Sequence, residues 1–453
     1  MNRVLTTASA LFVATALCAP ASVHAQESLP PDGAASLRDE IAAMKARIEQ
    51  LEARLAAATP PKAESPTPAE PTVASWKGSP QFNSGDRSFK VKGRVQADVN
   101  YVSPPPGSDD RAFGYSSEVR RIRLGGEGSL GGDIGYKLEL ELSDNAVELV
   151  DAFVTYTDGG LQLAFGNQNQ FQSLDELTGD TSGSFMERAA FTDAFNFERR
   201  LGLSAQYKHE ALLVQGGIFA DDVGALSNNN DGPAGGDENN SVAVDGRIVF
   251  APKSGQTQLH FGVSAHQRWL NRLADDPVRY RQRPYLHSVN TRVIGTPALD
   301  ARRETHGGIE VAMIHGPWHA AAEWHRLIAD RTDLPGVGFS GAYAEVGYYL
   351  TAGDSRAYRN GQFGTASPKR PITAGGIGAI QANLRYDQID LNDRDVRGGE
   401  QRSYLASLIW TPIDYLRLNL NVGYLEQTVL DTATASTRDF DLQVVGTRLE
   451  LDF

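Results

Sequence analysis

From Phe89 to the C-terminus, apolar and polar residues alternate along the chain, with the period of a β-strand. In segment 416–424, LRLNLNVGY, leucine, valine and tyrosine alternate with arginine, asparagine and glycine. Charged residues occupy the second face of many such segments, which favours a barrel with lipid outside and a polar lumen over a soluble sandwich. The sixteen predicted strands are 89–102, 118–130, 133–143, 148–156, 160–166, 199–208, 211–220, 241–250, 256–268, 302–315, 317–329, 340–350, 376–389, 402–411, 414–426 and 439–453.

The connections between these segments also alternate, because short turns follow strands 2, 4, 6, 8, 10 and 14 and longer loops mostly lie between them. Bacterial outer-membrane barrels have short periplasmic turns and long extracellular loops. The link 351–375 is an exception, since it should be short. The terminal Phe453, on an alternating last strand, resembles the sorting signature of such barrels. Residues 81–453 are therefore predicted to form an all-β, sixteen-stranded antiparallel transmembrane barrel.

Residues 1–25 have the features of a secretory signal peptide. Arg3 supplies a positive start, an apolar run extends from Ala8 to Cys18, and Val23-His24-Ala25 offers small residues for cleavage. The apolar run is too short to cross a membrane as a helix. Cys18 is the single cysteine, so the exported chain is expected to contain no disulfide.

The N-terminal segment 26–58 is predicted to contain a short α-helical coiled coil over 36–58. Its apolar residues are spaced by four and three, the pattern of an a/d seam, and they are Leu37, Ile41, Met44, Ile48, Leu51 and Leu55. A single amphipathic helix lying on another surface is the alternative. Residues 59–80 are rich in proline and alanine and are predicted to form an extended linker.

The chain has 453 residues and a formal net charge of -13, which opposes nucleic acid as a partner because that partner needs a basic surface. No apolar stretch after the signal peptide is long enough for a membrane-spanning helix. Export without such a helix is compatible with a membrane protein only if a closed barrel satisfies its own backbone groups.

Several motifs resemble the phosphate-selective porin O/P family of outer-membrane porins: 119–132, VRRIRLGGEGSLGG; 173–188, SLDELTGDTSGSFMER; Arg199-Arg200-Leu201-Gly202; and 350–368, LTAGDSRAYRNGQFGTASP. The resemblance covers most of residues 89–453. It implies a sixteen-stranded trimeric barrel that passes small anions, in some members with an N-terminal coiled coil, and with a long segment where 351–375 lies. After strand 5 the family usually carries basic residues, whereas residues 166–172 here read GNQNQFQ, which is neutral.

Candidate pore-lining and anion-binding residues follow from strand parity. Arg121 and Arg123 share a face with Glu127, and arginine facing lipid at mid-membrane would cost about 2–4 kcal/mol, so both are expected to face the lumen. Lys137 and Arg200 have the same parity. Arg120 has the apolar parity and is expected at the wet end of its strand. Alternatively, these arginines pair with lumenal glutamates and only stiffen the wall.

Loop 167–198 is the longest in the first half of the barrel and carries six acidic residues against one basic residue, Arg188. Such loops fold inward and narrow a barrel, or they pack on a neighbouring subunit. Because its acidic groups oppose the wall arginines, we expect at most a modest preference for anions.

The sequence thus predicts a porin in the Gram-negative outer membrane, with the coiled coil in the periplasm. It would be a homotrimer in contact with outer-membrane lipid that passes small hydrophilic or anionic solutes such as phosphate. His319, Glu323 and His325 share one parity, but they extend over about 20 Å of strand, so a polar wall is favoured over a metal site. No cofactor is expected. The alternatives are a structural barrel tethered by its coiled coil and an outer-membrane enzyme, and the second lacks any recognisable catalytic motif.

Overall fold

The computed structural model describes residues 31–57, 72–143, 147–197, 199–223, 241–270, 277–431 and 436–453. Contacts divide the chain into two compact units, Met1–Ala69 and Glu70–Phe453. The predicted signal peptide, 1–25, and residues 59–71 of the predicted linker lie outside the described residues. No helix in the described part of the chain is both long and apolar enough to cross a membrane.

The N-terminal unit contains one long helix, α1, Pro31–Ala57. Its alanine, leucine, glutamate and arginine residues have high helix propensity, and proline is well tolerated at the first helical position. Arg54 in the last turn complements the negative end of the helix dipole. The seam residues Ile41, Met44, Ile48 and Leu51 are exposed. The predicted helix is therefore confirmed, and its pairing with other helices stays a prediction.

Within the described residues of the second unit, sixteen antiparallel strands form one closed barrel. The strands, in chain order, are β1 Arg87–Val102, β2 Gly114–Gly131, β3 Ile134–Glu141, β4 Glu148–Asp158, β5 Leu161–Asn169, β6 Arg199–His209, β7 Leu212–Phe219, β8 Val242–Phe250, β9 Thr257–Trp269, β10 Ala301–His315, β11 Trp318–Arg331, β12 Val337–Tyr349, β13 Ala379–Asp393, β14 Val396–Ile413, β15 Leu416–Asp431 and β16 Ser436–Asp452. Each predicted strand overlaps one of them. Closure joins β16 to β1, from the pair Val444–Val102 to the pair Asp452–Arg94.

The alternation of the sequence becomes an outer apolar face and an inner polar face. On β15, Leu418, Leu420 and Val422 are exposed on the outside, whereas Asn419 and Asn421 are buried in the lumen. A closed barrel pairs every backbone group between neighbouring strands, which a bilayer requires. The apolar outer face can then lie against lipid.

Several strands are longer than alternation predicts. β14 begins at Val396 rather than 402, and it joins β13 through a tight turn at Arg394-Asp395, where Arg394 has φ +55°. Polar residues also occupy the outer face in this region, where Asp390 and Glu400 form a cross-strand pair. The period-two pattern is lost where a strand leaves the apolar layer, so the sequence underestimates the length of such strands.

Short strands lie outside the barrel wall. Val73–Trp76, in the predicted linker 59–80, pairs with Pro80–Ser84, which in turn pairs with the start of β1. The other short strands are Lys253–Ser254, Arg281–Gln282, Ile294–Gly295, Ala357–Arg359 and Gln362–Gly364.

Three connecting segments fold into the lumen. The inward loop, residues 170–197, joins β5 to β6 and contains α2 Leu174–Leu177, α3 Ala190–Ala194 and the 3-10 turn Asp180–Ser182. The second insert, residues 277–300, joins β9 to β10 from the same end of the barrel, which we call the loop end. The turn-end insert, residues 350–378, enters from the opposite end, called the turn end, and contains the 3-10 turn Ile372–Ala374.

Candidate pore constriction

The inward loop is held by lumenal side chains that bind its backbone. Glu323 on β11 accepts hydrogen bonds from the backbone N–H groups of Leu174 (3.0 Å) and Asp175 (2.7 Å), at the start of α2. The side chain of Asp387 accepts from the N–H of Ala190 at 3.0 Å, at the start of α3. Carboxylates at helix starts satisfy N–H groups that have no partner within the helix. Of the two predicted placements for loop 167–198, the structure therefore shows the inward one.

One face of the inward loop is apolar. Leu174, Phe191 and Phe195 are almost fully buried in a core that includes residues of β10 to β13. The ring of Phe191 stacks on His325, with 4.6 Å between ring centroids. If residue 341 carried a Cβ atom, that atom would lie 2.4 Å from the Cβ of Phe191. Glycine at this position of β12 therefore leaves room for the phenylalanine. This part of the lumen is packed like a protein interior.

The opposite face of the inward loop is charged and centres on Asp180. One carboxylate oxygen, Oδ2, lies 3.2 Å from Arg94 Nη1, 3.2 Å from Arg121 Nε and 3.4 Å from Arg123 Nη1. The other oxygen, Oδ1, lies 3.2 Å from Nη2 of Arg188, a residue of the same loop. Arg121 and Arg123 thus lie on the lumen face of β2, as parity predicts, and they converge on a loop carboxylate.

Glu187 forms a second link between the loop and the wall. Its carboxylate lies 3.2 Å from Arg120 Nε and 2.6 Å from Arg448 Nη2. The pairing of β1 with β2 shifts register between Gln96 and Ala97, so Arg120 occupies a β-bulge. The apolar parity assigned to Arg120 is therefore wrong, although Arg120 does line the cavity like the other candidate, Arg121. A bulge adds one residue to a strand and breaks the alternation of faces, which places Arg120 in the lumen.

Two of the candidate basic residues, Arg123 and Lys137, pair with acidic residues of the wall, which is the alternative role predicted for them. Arg123 Nε lies 2.8 Å from Glu141, and Lys137 Nζ lies 2.9 Å from Glu139 and 2.5 Å from Asp151. The remaining wall glutamate of this group, Glu127, lies 3.7 Å from Lys92.

Arg200, which the sequence places on the lumen face of β6, is almost fully buried, with 1% of its surface exposed. Its neighbour Arg199 lies 2.7 Å from Asp151 and continues the basic wall towards β4.

The loop carboxyls have shifted pKa values. Burial alone would raise the pKa of Asp180, but the nearby guanidinium groups, Arg121 and Arg123 foremost, outweigh it and hold the pKa well below its usual range. Glu187 behaves alike, because Arg120 and Arg448 overcome the effect of burial and lower its pKa. For Glu176 burial dominates over the attraction of Arg188, and the pKa is raised.

The neutral residues that the sequence places after predicted strand 5 form the end of β5 and the start of the inward loop, and their side chains make hydrogen bonds within the wall. Asn167 Nδ2 donates to the backbone oxygen of Val150 at 3.0 Å, and Gln168 Nε2 donates to that of Gly202 at 3.1 Å. Ser204 donates to Gln168 Oε1 at 2.7 Å. These amides stabilise the place where the chain turns from the wall into the lumen.

Sequence reasoning missed several arginines of the lumen. Arg94 contacts Asp180, Arg385 contacts Glu345 at 2.6 Å, and Arg448 makes a two-pronged contact with Asp98 at 2.8 Å. Each has the lumenal parity of its strand, as Arg448 shares its face with Glu450. Strand parity, applied to all sixteen strands, was the signal that could have found them.

The histidine-containing row on β11 is bound by protein groups. Glu323 also accepts from Tyr343 at 2.8 Å and contacts His325 Nε2 at 3.1 Å, while His319 Nε2 lies 3.0 Å from Asn383 Oδ1. Within the described ranges, no group of three or more histidine, cysteine or acidic residues has the geometry of a metal site.

A cavity of about 300 Å³ lies between the charged face of the inward loop, the wall and the other two inserts. Among its lining residues are Arg120, Arg121, Glu176, Asp180, Glu187 and Arg188. The turn-end insert reaches this region, because Arg356 Nη2 donates to the backbone oxygen of Ser182 at 2.6 Å. The cavity is therefore polar and rich in charges of both signs.

Comparison with known proteins agrees with this architecture. A protein of Caulobacter vibrioides is 54% identical over 479 residues, covering 100% of this chain and 97% of that protein. Solved structures with a similar fold include OmpT of Vibrio cholerae in its trimer form (TM-score 0.51, 11% identity) and an anion-selective porin from Comamonas acidovorans (TM-score 0.50, 12% identity). Each match covers 81% of this chain. It also covers 99% of the OmpT chain and 100% of the Comamonas acidovorans chain.

The family model of the phosphate-selective porins O and P matches residues 89–453, which is the whole barrel apart from the first two residues of β1. The chain therefore belongs to the phosphate-selective porin O and P family and forms an outer-membrane β-barrel channel.

Proposed function

We propose that this channel allows passive diffusion of small hydrophilic solutes, including anions such as phosphate, with at most a modest preference for anions. The observation that carries this proposal is the pairing of wall arginines with loop carboxylates around Asp180. A polar lumen suits hydrophilic solutes, and selectivity in a pore comes from the charges at its narrowest part.

The charge balance at the constriction explains the modest preference. Arginines such as Arg121 and Arg123 attract anions and bind oxyanions well, because a guanidinium offers paired donors. Asp180 lies within 3.5 Å of both arginines, and Glu187 lies 3.2 Å from Arg120. These distances are far inside the roughly 8 Å over which charges interact at physiological salt. The carboxylates therefore cancel much of the positive field that a passing anion would experience.

Single-channel recording in planar bilayers tests the proposal. The purified protein is expected to give stable conductance steps, a small anion-directed reversal potential in a salt gradient, and only weak inhibition of chloride current by phosphate. Strong block by low phosphate would indicate a dedicated phosphate channel, and the absence of any conductance would refute the channel function.

The same proposal includes a homotrimer with the α1 helices associated as a coiled coil in the periplasm, after removal of residues 1–25. The exposed seam of α1 supports self-association, and the chain enters the barrel at the turn end, which we assign to the periplasm. Native mass measurement is expected to give a trimer. Deletion of 36–58 should lower the temperature at which it dissociates, and a monomer from the full-length protein would contradict the assembly.

A further inference from the structure

We propose that Asp180 is the residue that sets the selectivity of the channel, because its carboxylate occupies an oxyanion site formed by Arg94, Arg121, Arg123 and Arg188. The inference rests on the proposed channel function. The loop carboxylate acts as a built-in counter-ion, and its presence keeps a phosphate-like anion from binding at the constriction.

The geometry around Asp180 is that of a bound anion. Its oxygen Oδ2 receives contacts from three guanidinium groups on two neighbouring strands, at 3.2, 3.2 and 3.4 Å. Charge-assisted contacts of arginine to carboxylate and to phosphate use the same donors. The Nε atom of Arg94 is buried and has no hydrogen-bond acceptor in the described part of the chain, so this arginine keeps a donor that Asp180 does not occupy.

The charges of this cluster balance only when Asp180 is counted. Three of the four arginines have a carboxylate of their own, because Arg94 contacts Asp452, Arg123 contacts Glu141 and Arg188 contacts Glu176. Asp180 is the fourth negative charge, shared by all four arginines. Without it, one positive charge stays uncompensated beside the cavity.

Arg121 shows where that unbalanced charge would lie. Its second hydrogen bond goes to the neutral amide of Gln96, with Nη1 2.9 Å from Oε1. Among the described residues, the negatively charged group that pairs with Arg121 is the Asp180 carboxylate, 3.2 Å from Nε. Loss of the Asp180 charge frees the Nε donor of Arg121 next to the cavity.

Asp180 is fixed in position, so it cannot swing away from the arginines when an anion arrives. The 3-10 turn that begins at Asp180 is held through its backbone: Arg356 donates to the oxygen of Ser182 at 2.6 Å, and Arg417 donates to that of Gly183 at 2.9 Å. Ser182 also bonds Thr365 of the turn-end insert at 2.8 Å. The side chain of Asp180 is only 12% exposed.

The test is the variant Asp180→Asn, which keeps the shape of the side chain and removes its charge. In planar bilayers we expect its reversal potential to move towards anions. We also expect phosphate to inhibit the chloride current at a concentration about tenfold lower than in the parent protein, the size expected for one uncompensated charged contact. An unchanged phosphate sensitivity would overturn the proposal.

Two further variants make the result specific. Glu127→Gln removes one negative charge from the same lumen at a position that is 42% exposed, and it should shift the reversal potential by less than Asp180→Asn. The double variant Asp180→Asn with Arg94→Gln restores the charge balance and should regain the parent selectivity. Equal shifts from Asp180→Asn and Glu127→Gln, or no recovery in the double variant, would contradict a site at Asp180.

If Asp180→Asn fails to fold into a heat-modifiable barrel, the single variant Arg94→Gln gives the answer. It leaves the cluster with one excess negative charge and should move the reversal potential towards cations. Calorimetry with inorganic phosphate on detergent-solubilised protein separates this inference from the channel function. Binding by Asp180→Asn but not by the parent is expected even if neither protein conducts, and absence of binding in both would refute the inference.

Discussion

The two faces of the inward loop use opposite physical principles to bind the same barrel. Towards β10–β13, the loop buries Leu174, Phe191 and Phe195 in a close-packed core that excludes water. Towards β1 and β2, it presents Asp180 and Glu187 to arginines beside a cavity. The first contact is non-directional and stabilises the position of the loop. The second is directional and places charges of both signs beside the cavity.

The largest effect is expected from the apolar face. Phe191→Ala removes a fully buried ring and should lower the free energy of unfolding by about 3–5 kcal/mol, the range for such truncations in cores. The loop should then move more, so open-channel noise should rise while the sign of selectivity stays the same. Chemical denaturation and single-channel recording measure both effects.

Phe261→Ala is the matched control, because Phe261 lies on the outer face of β9 and is half exposed. It removes the same side chain from the lipid-facing surface and should leave the channel noise unchanged. If Phe191→Ala instead reversed the selectivity without a loss of stability, the division of labour between the two faces would be wrong.

A smaller effect, confined to selectivity, is expected from the charged face. The double variant Arg121→Ala and Arg123→Ala leaves Asp180 and Glu141 with fewer cations, so the reversal potential should shift towards cations. The apolar docking of the loop should remain, and the barrel should still migrate as a heat-modifiable band.

Arg302→Ala with Arg303→Ala removes the same two charges from exposed positions on β10 and is expected to shift the reversal potential much less. An unchanged reversal potential in the lumenal variant would show that these arginines only stiffen the wall.

The smallest effect is a pH dependence that arises from Glu176. Burial raises the pKa of Glu176, because it disfavours the ionised form. On acidification Glu176 therefore takes up a proton before ordinary carboxyls do. Asp180 and Glu187 stay charged there because their pKa values are lowered. The cavity then loses one negative charge, and the reversal potential should move towards anions between neutral and mildly acidic pH.

Glu176→Gln should diminish this shift, because the variant has no proton to gain at that position. A shift of unchanged size in Glu176→Gln would assign the titration to another group. Through Glu176, acidification should also raise the free energy of unfolding. A carboxyl with a raised pKa in the folded state opposes folding while it is ionised, and this penalty decreases as the pH falls.

The sequence predicted the wall of the barrel better than its contents. Alternation located all sixteen strands, because the contrast between lipid and lumen acts on every second residue. It placed Arg121 and Arg123 on the lumen face, but it misplaced Arg120, because a bulge is a property of the pairing between two strands. The partners of these arginines lie in loop 170–197, and no local pattern encodes which loop residue meets which strand. The inward position of that loop was one of two predicted alternatives for the same reason.

The contacts of Arg448 have a consequence for the order in which the molecule is built. Arg448 lies on the last strand, and it contacts Glu187, 261 residues earlier in the chain. Contacts between such distant residues form late, since the chain must first close a very large loop. The contacts of the inward loop are therefore complete only when β16 is in place beside β1. The apolar face of the loop has its partners on β10–β13, whereas its charged face also depends on the last strand of the chain.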